Sequence, residues 1–449
     1  MIFHLKIVYL QKQKNAMFFN NKNNNKKDRT KPEPQEREPE YWEKSSYLIA
    51  IPRSGYVHLD DEMFDRIDAI DGVELLGTRL PDEDGPGAIK LKYLGEEYEA
   101  GFYKSDFTLP EMLSRQGYYF TDEEMADIAN ATSALTIFMD FKGDAATCYH
   151  LQIKLTVAMV PDLLAIMDES AERLVNGRWA TLAAESSVVP GATSLFTVQA
   201  VSDEGGEVWL HTHGLNRCGV YELEILQSDR DHCNEHYNII QTLASSMLTA
   251  KDGAPKPTAG VHIGMLSDNE PIVATYLPWT KAINAYSNLA LGGIADRADG
   301  HNGRTAPVFL YRSEDDIKNG TMHKVDKIND RIGDNPLFFI TSEETSRMSA
   351  LARERFGLVK YMSTKDCTIL IKVGLLTDSC QSGDEREHIW FKLLEMDDNG
   401  FSAELLQEPY DVKAMHEGDR GHYTIDDVTE WRIYLDEGCV TPDTTYLLV

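Results

Sequence analysis

Residues 209–226, WLHTHGLNRCGVYELEIL, contain two stretches of alternating polar and apolar side chains, joined by a glycine-bounded turn. Successive side chains of a β-strand point to opposite faces, so His211 and His213 share one face of the first stretch. By the same rule Glu222 and Glu224 share one face of the second stretch. The segment therefore predicts an antiparallel hairpin in which two imidazoles face two carboxylates.

Two histidines and two carboxylates are a ligand set for a divalent metal, and they equally form a general acid/base pair. The ordinary alternative is a partly solvated sheet face with cross-strand His–Glu pairs. A glycine-rich loop that bears aspartates, GGIADRADG, ends just before His301 and is a second candidate for ligand binding, or a solvent loop. The candidate site residues are His211, His213, Arg217, Glu222, Glu224 and His301, with a metal at His211, His213, Glu222 and Glu224.

The stretch DHCNEH, residues 231–236, contains the pattern H-x-x-E-H. On a helix His232 and His236 lie one turn apart, as in zinc proteases that use this motif, and Glu235 would activate water. Such an enzyme needs a further glutamate ligand, for which Glu314 is a candidate. The alternative reading, which we favour, is the polar first turn of a solvated helix.

The chain has 449 residues, with 44 Lys and Arg against 73 Asp and Glu, a formal net charge of −29. Phosphate binding depends on basic patches, so this charge disfavours nucleic acid and anionic membranes as partners. The six cysteines are scattered, which is typical of reduced thiols in a cytosolic protein. The sequence therefore predicts a cytoplasmic protein that binds neither nucleic acid nor membranes and has a basic protein as partner.

The length exceeds the roughly 250–300 residues at which a single hydrophobic core stops growing, so several domains are expected. Helical and strand-like segments alternate loosely, without a regular βαβ repeat, which favours an α+β fold class. The expected order is mixed α/β units followed by a small C-terminal, β-rich, barrel-like domain. The predicted parts are a disordered tail (1–40), a small α+β unit (41–145), a central α+β domain carrying HTHGL (146–340), a bridging helix (341–364) and a β-rich domain (365–449).

Several local patterns predict individual elements. Pro161 suits a first helical position and predicts a helix over residues 161–174, while RWATLAA (178–184) predicts a strand. Thr121 and Thr341 are each followed three residues later by Glu, which predicts capped helix starts.

Two tryptophans mark the expected core of the last domain. Trp390 and Trp431 lie in strand-like runs and are predicted to be buried anchors. His388 alternates onto the face of Trp390, where we interpret it as a buried or edge histidine in preference to a catalyst.

Longer runs carry a family resemblance. The hairpin segment, together with VAMVPDLLAIMDESAE, HNGR, FFITSEETSRMSALARERF and IKVGLLTD, resembles the bacterial family catalogued as domain of unknown function four-zero-two-six. The similarity covers most of the chain from about Tyr41. The run from Glu387 to Trp431 is similar to domain of unknown function two-three-one-four, with Glu430 where that pattern has Asp. Neither family has an activity to transfer, so the resemblance implies domain limits, a bacterial cytosolic setting and the importance of the HTHGL segment, but no reaction.

Two functions fit these patterns. The first is a non-enzymatic binding or interaction protein that sequesters a basic partner, as immunity proteins do with basic toxins. The second is a metal-dependent hydrolase that uses His211, His213, Glu222 and Glu224. We favour the first, because the lack of a complete catalytic signature outweighs one candidate ligand set.

Overall fold

The computed structural model describes the short strand β1 (Val8–Tyr9) and residues 44–448, except 84, 117–118, 268–269, 288, 295, 300–303, 333–335, 380–385 and 437. Most of the predicted tail (1–40) and His301 lie outside the described residues. The chain divides into two compact units. The central unit contains Val198–Ala244 and Pro255–Phe338, and the flanking unit contains Ser45–Thr197, Ser245–Ala254 and Phe339–Val449.

The N-terminal part of the flanking unit is an antiparallel sheet with four helices. Its strands are β2 (Ser45–Pro52), β3 (Val73–Arg79), β4 (Gly87–Tyr93), β5 (Glu96–Asp106), β6 (Ser133–Asp140), β7 (Leu163–Asp168) and β8 (Arg173–Asn176). Its helices are α1 (Glu62–Asp68), α2 (Asp122–Asn130), α3 (Ala145–Met159) and α4 (Gly177–Glu185). The strand order is β3-β4-β5-β6-β2-β7-β8. The capping box predicted at Thr121 and Glu124 starts α2.

Two predictions in this part are wrong. Pro161 follows the end of α3, where it cannot continue the helix, and the residues after it form the buried strand β7 instead of a helix. The segment RWATLAA forms α4 and not a strand, because Asn176 caps its start by accepting from the Arg178 amide. The last carbonyls of α4 accept hydrogen bonds from His150 and Lys154 of α3, which satisfies the helix end.

The central unit is built on a mixed sheet. Its strands are β9 (Thr197–Ser202), β10 (Glu207–His213), β11 (Glu222–Asp229), β12 (Val261–Met265), β13 (Pro271–Tyr276), β14 (Thr305–Tyr311), β15 (His323–Lys324) and β16 (Leu337–Phe338). The order is β1-β9-β10-β11-β14-β13-β12-β16, and β15 also pairs with β14. The helices are α5 (Cys233–Thr249), α6 (Trp279–Ala282), α7 (Glu314–Asn319) and α8 (Asn329–Ile332). Strands β11 and β14 are parallel, whereas β10 and β11 are antiparallel.

The C-terminal part of the flanking unit is a six-stranded antiparallel sheet preceded by two helices. The elements are α9 (Ser342–Glu354), α10 (Phe356–Met362), β17 (Thr368–Leu376), β18 (Arg386–Met396), β19 (Phe401–Leu405), β20 (Arg420–Tyr423), β21 (Val428–Leu435) and β22 (Gly438–Val440). The strand order is β20-β19-β18-β17-β21-β22. Thr341 caps α9 as predicted. The α+β fold class and the strand-rich C-terminal region are confirmed.

Only one of the two predicted tryptophan anchors lies in the core of this sheet. Trp431 is fully buried, and its Nε1 donates to the Ala352 carbonyl at 2.9 Å. Trp390 alternates onto the opposite, partly exposed face, between the cations of Lys372 and Arg432 at 4.8 and 4.7 Å from its ring. The prediction of a buried Trp390 is therefore wrong, because its strand neighbours Ile389 and Phe391 occupy the core side.

No helix in the described part of the chain combines the length and apolar composition needed to cross a membrane. The cysteines that the structure describes, Cys148, Cys218, Cys233, Cys367 and Cys439, are free thiols.

Candidate functional site

The hairpin predicted from the sequence is formed. Strands β10 and β11 pair antiparallel with His211 opposite Glu224. The rings of Trp209 and His211 stack at 4.1 Å, and His213 meets His211 edge-on at 4.9 Å between ring centroids. The three aromatic rings therefore lie along one face, as the alternation predicts.

Glu224 is held by a cation that lies far from it in the sequence. Both of its carboxylate oxygens accept from Arg297 Nη2, at 2.8 and 2.7 Å, and Oε2 also accepts from Trp209 Nε1 at 3.2 Å. The same guanidinium donates to Thr305 and lies 3.6 Å from the ring centroid of Trp279. Both members of this buried ion pair therefore have several hydrogen-bond partners inside the protein.

Glu222 closes the turn of the hairpin. Its Oε1 accepts from the backbone amides of Gly214 and Asn216, both at 2.9 Å, and its Oε2 accepts from the Thr212 hydroxyl at 2.6 Å. Burial raises the pKa of this carboxyl to about 7, although the three hydrogen bonds favour the charged form. Gly219 ends the turn at a φ of 80°, a conformation that favours glycine.

The two carboxylates that the sequence places on one face therefore have different hydrogen-bond partners. Among the residues that the structure describes, no three His, Cys, Asp or Glu side chains are grouped to hold a metal ion. The metal site predicted from His211, His213, Glu222 and Glu224 stays a prediction that this arrangement does not support, because Arg297 and the turn amides bind the carboxylate oxygens. Arg217 is 2% exposed within the turn, and His301 lies outside the described residues.

The H-x-x-E-H stretch forms a polar network at the start of α5, in which His236 is buried whereas His232 and Asp229 have side chains 30% and 43% exposed. The Ser228 hydroxyl lies 2.7 Å from His236 Nδ1, and the Oδ1 atom of Asn329 lies 2.9 Å from His236 Nε2. Asn329 Nδ2 donates to Asp229 at 2.9 Å, which fixes the orientation of the amide. His236 therefore carries its proton on Nε2 and accepts from Ser228.

This network has the bond pattern of a nucleophile, a base and an orienting amide. His236 is fully buried and Ser228 is 2% exposed, so the hydroxyl is closed to a substrate. Glu314, the third zinc ligand required by a protease, has a side chain that is 88% exposed in α7. The helix also begins later than the motif suggests, because Asp229 ends β11 and its side chain accepts from the amides of Asp231 and His232.

Sequence reasoning missed the two residues that organise these clusters. Arg297 is 73 positions from Glu224, and Asn329 is 93 positions from His236. The only local signal for Arg297 was the Asp-rich loop in which it lies, and nothing adjacent to Asn329 marks it as a partner of a histidine.

Matches to known families agree with this architecture. Residues 46–190 and 198–309 match the N-terminal and C-terminal models of the protein of unknown function DUF4026, and residues 361–445 match DUF2314, described as an uncharacterized protein conserved in bacteria. The fold and site thus define a multi-part α+β protein of a class without an assigned activity. The chain belongs to the DUF4026 family. No curated protein and no solved structure matches it.

Proposed function

We propose that the protein is a non-enzymatic binding protein of the bacterial cytosol that captures a basic protein partner through its acidic surface. The observation that carries this proposal is the excess of 73 Asp and Glu over 44 Lys and Arg. A net charge of −29 draws in a positively charged partner and repels negatively charged ones. Immunity proteins that neutralise basic toxins are one class that works in this way.

The exposed carboxylates support the proposal. Asp61, Glu62 and Asp65 are exposed on α1, and Glu314 and Asp315 have side chains 88% and 86% exposed on α7. Carboxylates in a first helical turn also stabilise the helix, by roughly 0.3–1 kcal/mol each. This stabilisation of helices does not require an excess of Asp and Glu over the whole chain, whereas association with a basic partner is strengthened by such an excess.

The contacts of the hairpin also favour binding over catalysis. Glu222 and Glu224, the strongest catalytic candidates in the sequence, each accept several hydrogen bonds from within the fold. His236 and its partner Ser228 are buried. The hydrolase alternative therefore gains no support from the positions of these side chains.

Calorimetric titration of the purified chain with a panel of small basic proteins tests the proposal. We expect one member of the panel to form a complex of fixed stoichiometry. The affinity of this complex should be at least about tenfold lower at about 200 mM than at about 50 mM salt, because salt screens the charges. Uniform weak binding to every basic protein, or no binding, would overturn the proposal.

Two neutralised variants act as matched controls for each other. One carries Asp61→Asn, Glu62→Gln and Asp65→Asn, and the other carries Glu314→Gln and Asp315→Asn. A specific interface predicts that one variant weakens binding far more than the other, out of proportion to the three and two charges that they remove. Weakening in proportion to the number of charges removed indicates a non-specific polyanion and contradicts the proposal.

A further inference from the structure

The flanking unit contains a cleft of about 530 Å³ between the segment that follows β2 and the C-terminal end of α3. Val57, Met159 and Val160 line its floor but are only 4%, 2% and 3% exposed, so they are already covered by the fold. The apolar surface that a small molecule can reach comes from Tyr56, which is 54% exposed, and from the exposed Pro161.

Arg66 supplies an oriented cation to this cleft. Its Nε donates to the Ala158 carbonyl at 2.7 Å, which fixes the guanidinium against the end of α3. In the part of the chain that the structure describes, the Nη groups of Arg66 have no hydrogen-bond acceptor and form no ion pair. A guanidinium held in this way presents a fork that matches the two oxygens of a carboxylate.

Asp60 and Asp162 supply negative charge to the same cleft. Asp60 Oδ1 accepts from the Met63 amide at 3.1 Å, and Asp162 Oδ2 accepts from the Ser54 amide at 2.9 Å. Across the described ranges, the second oxygen of each carboxylate accepts no hydrogen bond, and neither pairs with a cation. Both carboxylates are thus held in place and retain a free oxygen for a ligand.

The two signs of charge select the class of ligand. A purely anionic molecule at Arg66 meets repulsion from Asp60 and Asp162, and a purely cationic molecule meets repulsion from Arg66. We propose that this cleft binds a small zwitterion with an apolar body, of the class of hydrophobic α-amino acids. The ligand carboxylate binds Arg66, its ammonium group binds Asp60 or Asp162, and its apolar body packs against the exposed Tyr56 and Pro161. The proposal is independent of the capture of a basic protein.

Three probes that share one apolar body test the site on the full chain. They are L-leucine, isocaproate, which lacks the ammonium group, and isoamylamine, which lacks the carboxylate. Calorimetry and thermal unfolding should show binding of L-leucine, with each analogue at least about tenfold weaker, a difference of about 1.4 kcal/mol. Absence of L-leucine binding, or equal binding of the three probes, would overturn the proposal.

Variants separate the charge of Arg66 from its structural contact. Arg66→Gln should lower L-leucine affinity at least about tenfold. The control Arg79→Gln, at a side chain 48% exposed on β3, should leave it unchanged. Asp60→Asn keeps an acceptor for the Met63 amide and should weaken L-leucine but not isocaproate. Asp60→Asn still tests the proposal if Arg66→Gln fails to fold. Equal affinity for L-leucine in wild type and Asp60→Asn,Asp162→Asn contradicts the ammonium assignment.

Discussion

Arg297 and Glu224 form an ion pair of 2.7 Å inside the central unit, where their side chains are 6% and 1% exposed. The pair joins the segment before β14, which contains Arg297, to strand β11, which contains Glu224. It therefore holds this segment against the hairpin of β10 and β11. Removing one partner of such a pair leaves a charge buried without compensation.

We predict that Glu224→Gln lowers the free energy of unfolding by about 3–5 kcal/mol, because Arg297 then remains charged in the interior. Urea denaturation measures this loss. The matched control is Glu404→Gln, which removes the pair of Glu404 with Arg420, also 2.7 Å long but with side chains 30% and 69% exposed. The control should cost less than about 1 kcal/mol. Equal losses in the two variants would show that burial does not decide the strength of the pair.

The sequence predicted what alternation and capping control, and missed what depends on distant residues. The face shared by Trp209, His211 and His213 follows from the two-residue period of a strand. The helix predicted from Pro161 failed because LLAIMD reads equally as a short apolar helix or a buried strand, and pairing with β2 decides between them. Arg297 could not be assigned to Glu224, because ion pairs between residues 73 positions apart leave no local pattern.

The hairpin should not bind a metal. Glu222 and Glu224 are engaged by the turn amides and by Arg297, so a metal would have to displace these donors. We expect elemental analysis of the purified protein to find substoichiometric zinc, and added zinc to leave the melting temperature unchanged. One zinc per chain that is lost in His211→Ala would contradict this prediction.

Glu222 should make stability depend on pH. Its folded pKa of about 7 lies above the ordinary value of 4.5, so the folded state retains a proton that the unfolded state has released between these values. Stability from this group is therefore full below pH 4.5, falls as the pH rises to about 7, and changes little above that. The loss is up to about 3 kcal/mol, at about 1.36 kcal/mol per pKa unit.

Glu222→Gln tests this dependence directly. The amide oxygen of Gln can accept from Gly214 and Asn216, and its nitrogen can donate to Thr212, so the hydrogen bonds survive without titration. The variant should match the wild type near pH 4.5 and be more stable at pH 8. A constant difference across this range would show that Glu222 does not titrate there.

The pKa values of two histidines should be shifted in opposite directions from the ordinary value. Burial lowers the pKa of His236 below its ordinary value of 6.5, whereas the hydrogen bond from the exposed His416 to Glu408 raises the pKa of that imidazole. NMR titration should therefore find His236 neutral, with its proton on Nε2, at a pH where His416 is protonated. Asn329→Ala removes the acceptor for that proton and should change the tautomer shifts of His236 but not those of His416. Unchanged His236 shifts would contradict the hydrogen bond between Nε2 and Asn329.

The C-terminal sheet should depend on α9 and α10. Its core contains Ala352, Phe356, Val359 and Met362 from these helices, packed with the strand residues around Trp431. We predict that a fragment of residues 341–449 shows dispersed amide resonances and that a fragment of residues 365–449 does not, because the shorter fragment exposes the helix-facing side of the sheet. Within the full chain, Trp431→Ala should cost about 3–5 kcal/mol of unfolding free energy. Trp390→Ala should cost about 1–2 kcal/mol, since it removes two cation–π contacts at a partly exposed face. A folded fragment 365–449, or equal losses for the two tryptophans, would show that the strands alone make this core.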